Sequence, residues 1–336
     1  MKLNLKTLST IALTSFVIPS LSYSITTQTL NDSLCSNILV KKRSPGFYRV
    51  HKPLTYENEG THYFINKNKF FSLHQDGGDK NIHFPLDENT VDFFVKENSL
   101  WTLGNNLTER DLITGQIKNK YTTAPKTLMK LAHATAKSFH VLEDKIYIAH
   151  GNLGLVVFDL SAREFIHTDK INTKNGRGLP SEAVSVSGES HSQLFIAMSS
   201  WHKGFDGITV YDATSKRVLH KMAYDKRRSG NVGPNAKIYH RGERVYLNNG
   251  GWIHAFSTKN ILRYRKLRAS WLPIAEEVET IDHHGKTKKL TKYRMIEGDL
   301  IFANGNIMGC TKYKKKEEGF NRPVTKSKTV SFKISH

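Results

Sequence analysis

One phrase recurs along this chain and restricts its fold more than any other feature. It consists of an apolar strand, a tight polar turn, a second apolar strand, a Gly/Asn-rich loop, a third strand often ending in aromatic-Asp, and a polar turn into a fourth. The clearest copy places strands at 138–142, 145–149, 154–160 and 163–170, joined by Glu143-Asp144, the loop 150–153 and Ser161-Ala162. The next copy places them at 183–187, 193–198, 207–213 and 216–224. Their third strands align as Gly154-Leu155-Val156-Val157-Phe158-Asp159 and Gly207-Ile208-Thr209-Val210-Tyr211-Asp212. Weaker copies run from Asp92 through Trp101 and Asp111 to Tyr121, from Ala236 through Tyr246 and Phe256 to Leu267, and from Tyr293 through Phe302 to 330–334. A first copy is suggested at 62–65 and 70–73. Second strands centred on Phe71, Trp101, Tyr147, Phe195, Tyr246 and Phe302 fall about 30 to 55 residues apart, near the period of radially repeated four-stranded sheets.

The strands are short and rich in β-branched and aromatic residues, and Gly, Asn, Asp and Ser mark the turns. This predicts an all-β fold, a single β-propeller of six to seven four-stranded blades over residues 25–336. Sheets covered on both faces by neighbouring blades need not alternate strictly. The helix-like stretch 126–137 reads as a short insertion between blades. Asn175-Gly176-Arg177-Gly178-Leu179-Pro180-Ser181, followed by Ala183-Val184 and Gly207-Ile208, resembles the repeat of two-component-regulator-type propellers. There a Gly-Leu-Pro turn leads into a blade and a Gly-aliphatic strand follows. The Gly-Leu-Val-Val-Phe-Asp strand is similar to the Leu-Val-Ile-Val-Asp repeats of bacterial surface and periplasmic propellers. The likeness covers the two clearest copies well and the others loosely. The second-strand Trp of such repeats stands here only as Trp101, with Tyr147 and Phe195 in its place elsewhere. The resemblance transfers no catalytic residue.

The N-terminus reads as an address. Lys2 and Lys6 precede an uncharged apolar run at 8–21, and Ser22-Tyr23-Ser24 puts small residues where a signal peptidase reads. This predicts a signal peptide over residues 1–24, cleaved after Ser24, and a periplasmic or secreted protein. The run is shorter than the ~20 residues a membrane-spanning helix needs, and no later stretch is apolar enough to cross. Cys35 does not directly follow the run, which argues against a lipid anchor. Net charge falls from +20 to +18 when Lys2 and Lys6 leave with the leader, and such an excess attracts polyanions. The two cysteines, Cys35 and Cys310, are expected to form a disulfide in an oxidising compartment.

No Gly-x-Ser-x-Gly elbow, P-loop, Cys-x-x-Cys or His-Glu-x-x-His occurs. His283-His284 follow Asp282 near Glu276, Glu277 and Glu279, and read as a solvated polar loop; no metal and no cofactor is expected. Asp159 and Asp212 recur at equivalent positions, which points to hydrogen bonding of a turn rather than to paired catalytic acids. Arg263, Arg265, Lys266 and Arg268 read as guards on an outermost strand, and Lys312 with Lys314, Lys315 and Lys316 as a solvated run.

In a propeller the loops joining strands one to two and three to four share one face, where the turns here are short: 66–69, Glu143-Asp144, Ser161-Ala162, Thr214-Ser215, 241–243 and Glu297-Gly298. The other face carries the long loops 174–181, 199–206, 225–235 and 271–290, and long loops on a rigid scaffold are where binding residues concentrate. Arg177, Trp201, His202, Lys203, Lys226, Arg227 and Arg228 are the candidate ligand-binding residues. An aromatic beside cationic donors suits an acidic sugar or a phosphate-rich surface. The expected function is a monomeric, non-enzymatic binding or scaffold module for an acidic glycan, another polyanionic envelope component or an acidic protein, with nucleic acid not expected in that compartment. The other class is a lyase or hydrolase of an acidic polysaccharide on the same scaffold. An open central funnel lined by His, Tyr, Arg or carboxylates would favour the enzyme, and a filled centre with a charged face would favour binding.

Overall fold

The recurrent aspartate builds a hairpin loop. The computed structural model describes residues 40–42, 48–50, 54–58, 61–66, 69–74, 81–86, 90–123, 135–171, 181–200, 204–224, 231–267, 270–271, 275–281, 286–293, 295–303, 306–315 and 324–333. Asp159 Oδ1 accepts from the backbone N–H groups of Ser161 and Ala162, both at 2.8 Å. Asp212 Oδ1 accepts from Thr214 and Ser215 at 2.8 and 3.1 Å, and Asp111 Oδ1 from Ile113 and Thr114 at 3.1 and 2.9 Å. At the end of each loop Gly115, Arg163 and Lys216 take φ of 73, 57 and 56°, and the ladder beyond shifts register. A side-chain-capped turn closed by a left-handed residue returns the chain with a bulge. The turn-bonding role expected of Asp159 and Asp212 is met.

A hairpin of β1 (Val40–Lys42) and β2 (Tyr48–Val50) precedes five sheets built on four antiparallel strands each. The first blade holds β3 (Leu54–Asn58), β4 (Thr61–Asn66), β5 (Lys69–His74) and β6 (Asn81–Pro85). The second holds β7 (Asp92–Lys96), β8 (Ser99–Leu103), β9 (Asn106–Asp111) and β10 (Ile117–Thr122), and the third β11 (Ser138–Leu142), β12 (Lys145–Ala149), β13 (Leu155–Asp159) and β14 (Glu164–Asp169). The fourth holds β15 (Glu182–Ser190), β16 (Gln193–Ser199), β17 (Gly207–Asp212) and β18 (Arg217–Tyr224). In the fifth, β19 (Lys237–Arg241), β20 (Arg244–Asn249) and β21 (Trp252–Ser257) lead into the helix α1 (Thr258–Arg263) and the two-residue β22 (Lys266–Leu267), before β23 (Ser270–Trp271) completes the sheet. β22 adds itself, parallel, to β18 of the fourth blade. A hairpin of β24 (Ala275–Ile281) and β25 (Thr287–Tyr293) follows, then a three-stranded sheet of β26 (Glu297–Ala303), β27 (Asn306–Lys315) and β28 (Val324–Lys333).

The first strands β3, β7, β11, β15 and β19 lie against one another in sequence, and β26 lies against β3. The sheets are therefore radial, as a propeller requires, and the all-β expectation holds. The count of six to seven four-stranded blades is not confirmed: the described residues form five, with the three-stranded sheet between the fifth and the first.

Apolar residues fill the layers between blades. Leu54, Ile65 and Phe70 meet Phe93, Val95 and Leu100 between the first and second blades. Phe94, Leu103 and Leu107 meet Ile146, Ile148 and Phe158 in the next layer. The second-strand aromatics occupy one repeated role, each buried toward the following blade: Trp101 against Phe158, Tyr147 among Ala183 and Ile196, Phe195 among Ile238 and Val245, and Tyr246 against Ile296 and Leu300. Burying one such side chain contributes about 1.5–3 kcal/mol, so these layers bear most of the ring's cohesion.

Several sequence expectations shift in register. Phe71 belongs to the third strand β5, because the weakly apolar β3 escapes a search for apolar runs; the 66–69 turn consequently joins second to third strand. Phe302 lies in the first strand β26, and Glu297-Gly298 lie inside that strand instead of forming a turn. Much of the 271–290 loop is the β24–β25 hairpin. Arg263 ends a helix and Lys266 sits in β22 on the fourth blade's edge, not on the fifth blade's own outermost strand. The 126–137 stretch falls mainly outside the described residues, as does Arg268.

Candidate functional site

The connections β14–β15, β16–β17 and β18–β19 leave the ring at one end, since each either joins consecutive blades or joins second to third strand. These connections carry the seven predicted ligand-binding residues: Arg177, Trp201, His202, Lys203, Lys226, Arg227 and Arg228 all lie outside the described residues. Their flanks are described and are firmly fastened. Gly151 and Ala183 exchange backbone hydrogen bonds at 3.0 Å, tying the third blade's loop to the start of the fourth. Asp206, almost fully buried, takes the Ser200 N–H on Oδ1 at 2.8 Å. Ser199 Oγ donates to the Val232 carbonyl at 2.6 Å, and Asn249 brackets the next connection, accepting from Gly233 N–H at 2.8 Å and donating to the Asn231 carbonyl at 3.0 Å. Buried polar anchors of this kind fix where a loop leaves its scaffold.

At the same end, three charged residues meet on the ring axis. Asp92 begins β7, Lys237 begins β19 and Asp299 lies near the start of β26, and every first strand begins at the long-loop end. Lys237 Nζ lies 2.7 Å from Asp92 Oδ2 and 3.9 Å from Asp299 Oδ1, with side chains 19, 13 and 9% exposed respectively. Phe139 N–H also donates to Asp92 Oδ2 at 3.1 Å. Tyr239 OH donates to Asp299 Oδ1 at 3.3 Å and accepts from Leu300 N–H at 3.1 Å. Burial pushes the Asp92 carboxyl up, against the pull of Lys237. Burial works against the Lys237 ammonium too, but Asp299 and Asp92 more than offset it and hold its pKa above the usual lysine range. Ser138 Oγ donates to Ser185 Oγ at 3.2 Å, and Ser185 Oγ accepts from Ile238 N–H at 3.1 Å. These contacts stitch neighbouring first strands and span the axis.

None of the three charged residues was among the sequence candidates. A signal existed: each opens a short run dominated by apolar residues, in Asp92-Phe93-Phe94-Val95, Lys237-Ile238-Tyr239 and Asp299-Leu300-Ile301-Phe302. A charge at the axial end of a first strand must find a partner across the ring.

Toward the short-turn end two first strands carry histidines, His140 on β11 and His240 on β19, the latter with its ring against Phe195. His140 Nε2 contacts the Gly188 carbonyl at 2.5 Å, His240 N–H donates to Ser187 Oγ at 2.9 Å, and Gly242 N–H donates to Glu189 Oε1 at 2.6 Å. Burial lowers the His140 pKa to about 4 and lowers that of His240 as well. Glu276, Glu277 and Glu279 stand on β24 with Lys292, Thr291 and Lys289 as their register partners, and His283-His284 lie outside the described residues. Among the described residues no group of three His, Cys, Asp or Glu could hold a metal ion, and no helix is long and apolar enough to cross a membrane.

Radial four-stranded sheets, first strands in mutual contact and polar stitching on the axis define a β-propeller. No family model matches the chain, and no curated protein matches it. Among solved structures it is similar to BamB from Moraxella catarrhalis, at 9% identity over 76% of this chain and 68% of that one, with a TM-score of 0.40. It is similar to PorZ of the type-IX secretion system of Porphyromonas gingivalis, at 10% identity over 85% of this chain but only 45% of that one, TM-score 0.40. Sqt1 of Saccharomyces cerevisiae matches at 13% identity over 88% of this chain and 77% of that one, TM-score 0.47. At these scores the likenesses carry no argument about function, and the fold stands on the strand topology itself.

Proposed function

We propose that this protein is an exported binding or scaffold module whose long-loop face takes an acidic glycan or another polyanionic envelope component. The carrying observation is the axial cluster. Lys237 bridged to Asp92 at 2.7 Å puts paired charge across the first strands at that end, which supports surface binding over a catalytic pit. Charge agrees: +18 on the chain without its leader exceeds what solubility asks, and Arg177, Lys203, Lys226, Arg227 and Arg228 belong to connections of that face, with Trp201 and His202 beside Lys203. In this reading the three-stranded sheet serves as a sixth blade, the leader 1–24 is removed, and Cys35 bonds to Cys310, which is fully buried in β27. A count of two reactive thiols in unreduced, unfolded protein would refute that bond.

The test is a titration of labelled sulfated and carboxylated oligosaccharides at low and physiological salt. Binding is expected to weaken steeply as salt rises, because exposed charges are screened within about 8 Å at physiological ionic strength. The triple variant K226A/R227A/R228A should bind more weakly with its melting temperature almost unchanged, since exposed charges contribute little to stability. Failure of the wild type to retain either polymer at low salt overturns the proposal.

A further inference from the structure

The C-terminal strands place a second cationic element at the long-loop end. Ile296 N–H donates to the Gly251 carbonyl at 2.8 Å, so the start of β26 stands level with the second-to-third-strand turn of the fifth blade. Glu297 there pairs with Cys310 of β27. β27 does not stop at that level. Thr311, still buried, pairs with Lys328, and four further rungs follow: Lys312 with Ser327, Tyr313 with Lys326, Lys314 with Thr325 and Lys315 with Val324. At about 3.3 Å per residue, this two-stranded ribbon runs about 16 Å beyond the last rung of β26. Because it joins second to third strand, it leaves the ring on the same end as the long loops. Of the residues read as a solvated run, Lys312, Lys314 and Lys315 stand on β27, and Lys316 lies outside the described residues.

The register of the ribbon places no acidic residue opposite a lysine. In the neighbouring β24–β25 hairpin, Glu276 pairs with Lys292 and Glu279 with Lys289, so opposite charges stand across the rungs. In the β27–β28 ribbon the residues 312–315 and 324–327 contain Lys312, Lys314, Lys315 and Lys326 and no acidic residue. No lysine there stands opposite another, which avoids direct like-charge pairing; Glu317 and Glu318 fall in the connection 316–323, outside the described residues. Lys312 and Lys314 occupy alternate positions of one strand, about 6.6 Å apart. A free two-stranded ribbon is only marginally stable in water, and one whose rungs carry lysines and no carboxylate gains from a partner that supplies anions.

We infer that the β27–β28 ribbon is a contact element for an extended acidic polysaccharide, extending the binding face proposed above, on which this inference rests. The lysines would neutralise successive anionic groups along the polymer, and the ribbon would lengthen the footprint beyond the loops.

The experiment is fluorescence anisotropy with a labelled heparin decasaccharide at two salt concentrations, on the full mature chain. The variant K312A/K314A/K315A/K326A is expected to bind about tenfold more weakly and with a shallower salt dependence. The same four positions changed to Arg should keep wild-type affinity, and melting curves of both variants establish that they fold. Unchanged binding by the Ala variant, alongside lost binding by K226A/R227A/R228A, sinks the ribbon and leaves the face intact. No binding by the wild type sinks both. Tighter binding of a DNA duplex of equal charge than of the decasaccharide overturns the partner class.

Discussion

At Lys237 an ammonium lies 2.7 Å from one carboxylate and 3.9 Å from another, with 19% of its side chain exposed. Removing an ion from water to such a place costs several kcal/mol, and only well-placed counter-ions offset it. Truncating the cation would leave Asp92 and Asp299 facing each other without it. Lys237→Met is therefore expected to lower unfolding stability by about 3–5 kcal/mol, read from the urea midpoint, and D92N/K237M to recover part of the loss. A loss well under 1 kcal/mol would show that the cluster does not brace the ring. The raised pKa of Lys237 has a definite sign in pH. Its contribution is fully present below the ordinary lysine value of 10.5 and is lost as pH rises through the higher folded value. Stability should consequently fall on the alkaline limb, and less so in K237M.

Among the elements, the Asp-capped hairpins offer the cleanest comparison because three blades share one loop. The second blade places Gly115 at the left-handed position, whereas the third and fourth place Arg163 and Lys216 there. A side chain in that conformation costs about 1 kcal/mol that glycine avoids. Arg163 is also engaged with Glu109 at 3.1 Å, so Lys216 is the better test. Lys216→Gly should raise the melting temperature and Lys216→Ala should not; equal melting of the two would remove the strain argument. These hairpins also explain what was legible in the sequence. Predicted strands 138–142 and 145–149 coincide with β11 and β12 because Glu143-Asp144 punctuates them and the apolar runs are dense. β3 was missed because Leu54-Thr55-Tyr56-Glu57-Asn58 carries too few apolar residues, and its loss displaced the whole first copy by one strand. The common end of the connections β14–β15, β16–β17 and β18–β19 could be read from their lengths, whereas the short 66–69 turn is expected at the opposite end and much of 271–290 is a hairpin. The Asp92, Lys237 and Asp299 cluster could not be read, since each residue looks like a strand-end charge until the ring closes and supplies its partner. The lysine ribbon escaped for a related reason: its address depends on which strand of the last sheet comes first.

For the whole molecule, buried histidines set the acid limit. Burial lowers His140 and His254 to about 4 and also depresses His150 and His240. Each stays neutral in the fold, while the unfolded chain takes up a proton near 6.5. The stability they confer is present above pH 6.5 and is lost as pH falls toward 4. Calorimetric melting temperatures should decline through that window, and His254→Phe should flatten the decline; a flat profile in the wild type would contradict the burial of these rings. The ring also has an order in time. Hairpins form from neighbours in sequence and form early, whereas contacts between distant segments come late. Asp92 and its cation are 145 residues apart, so the carboxylate belongs to a blade that is synthesised long before Lys237 exists. A chain interrupted after Ala236 keeps the strands of four blades and lacks the Lys237 ammonium that pairs with Asp92, which makes the fifth blade the step at which an incomplete molecule becomes distinguishable from a finished one.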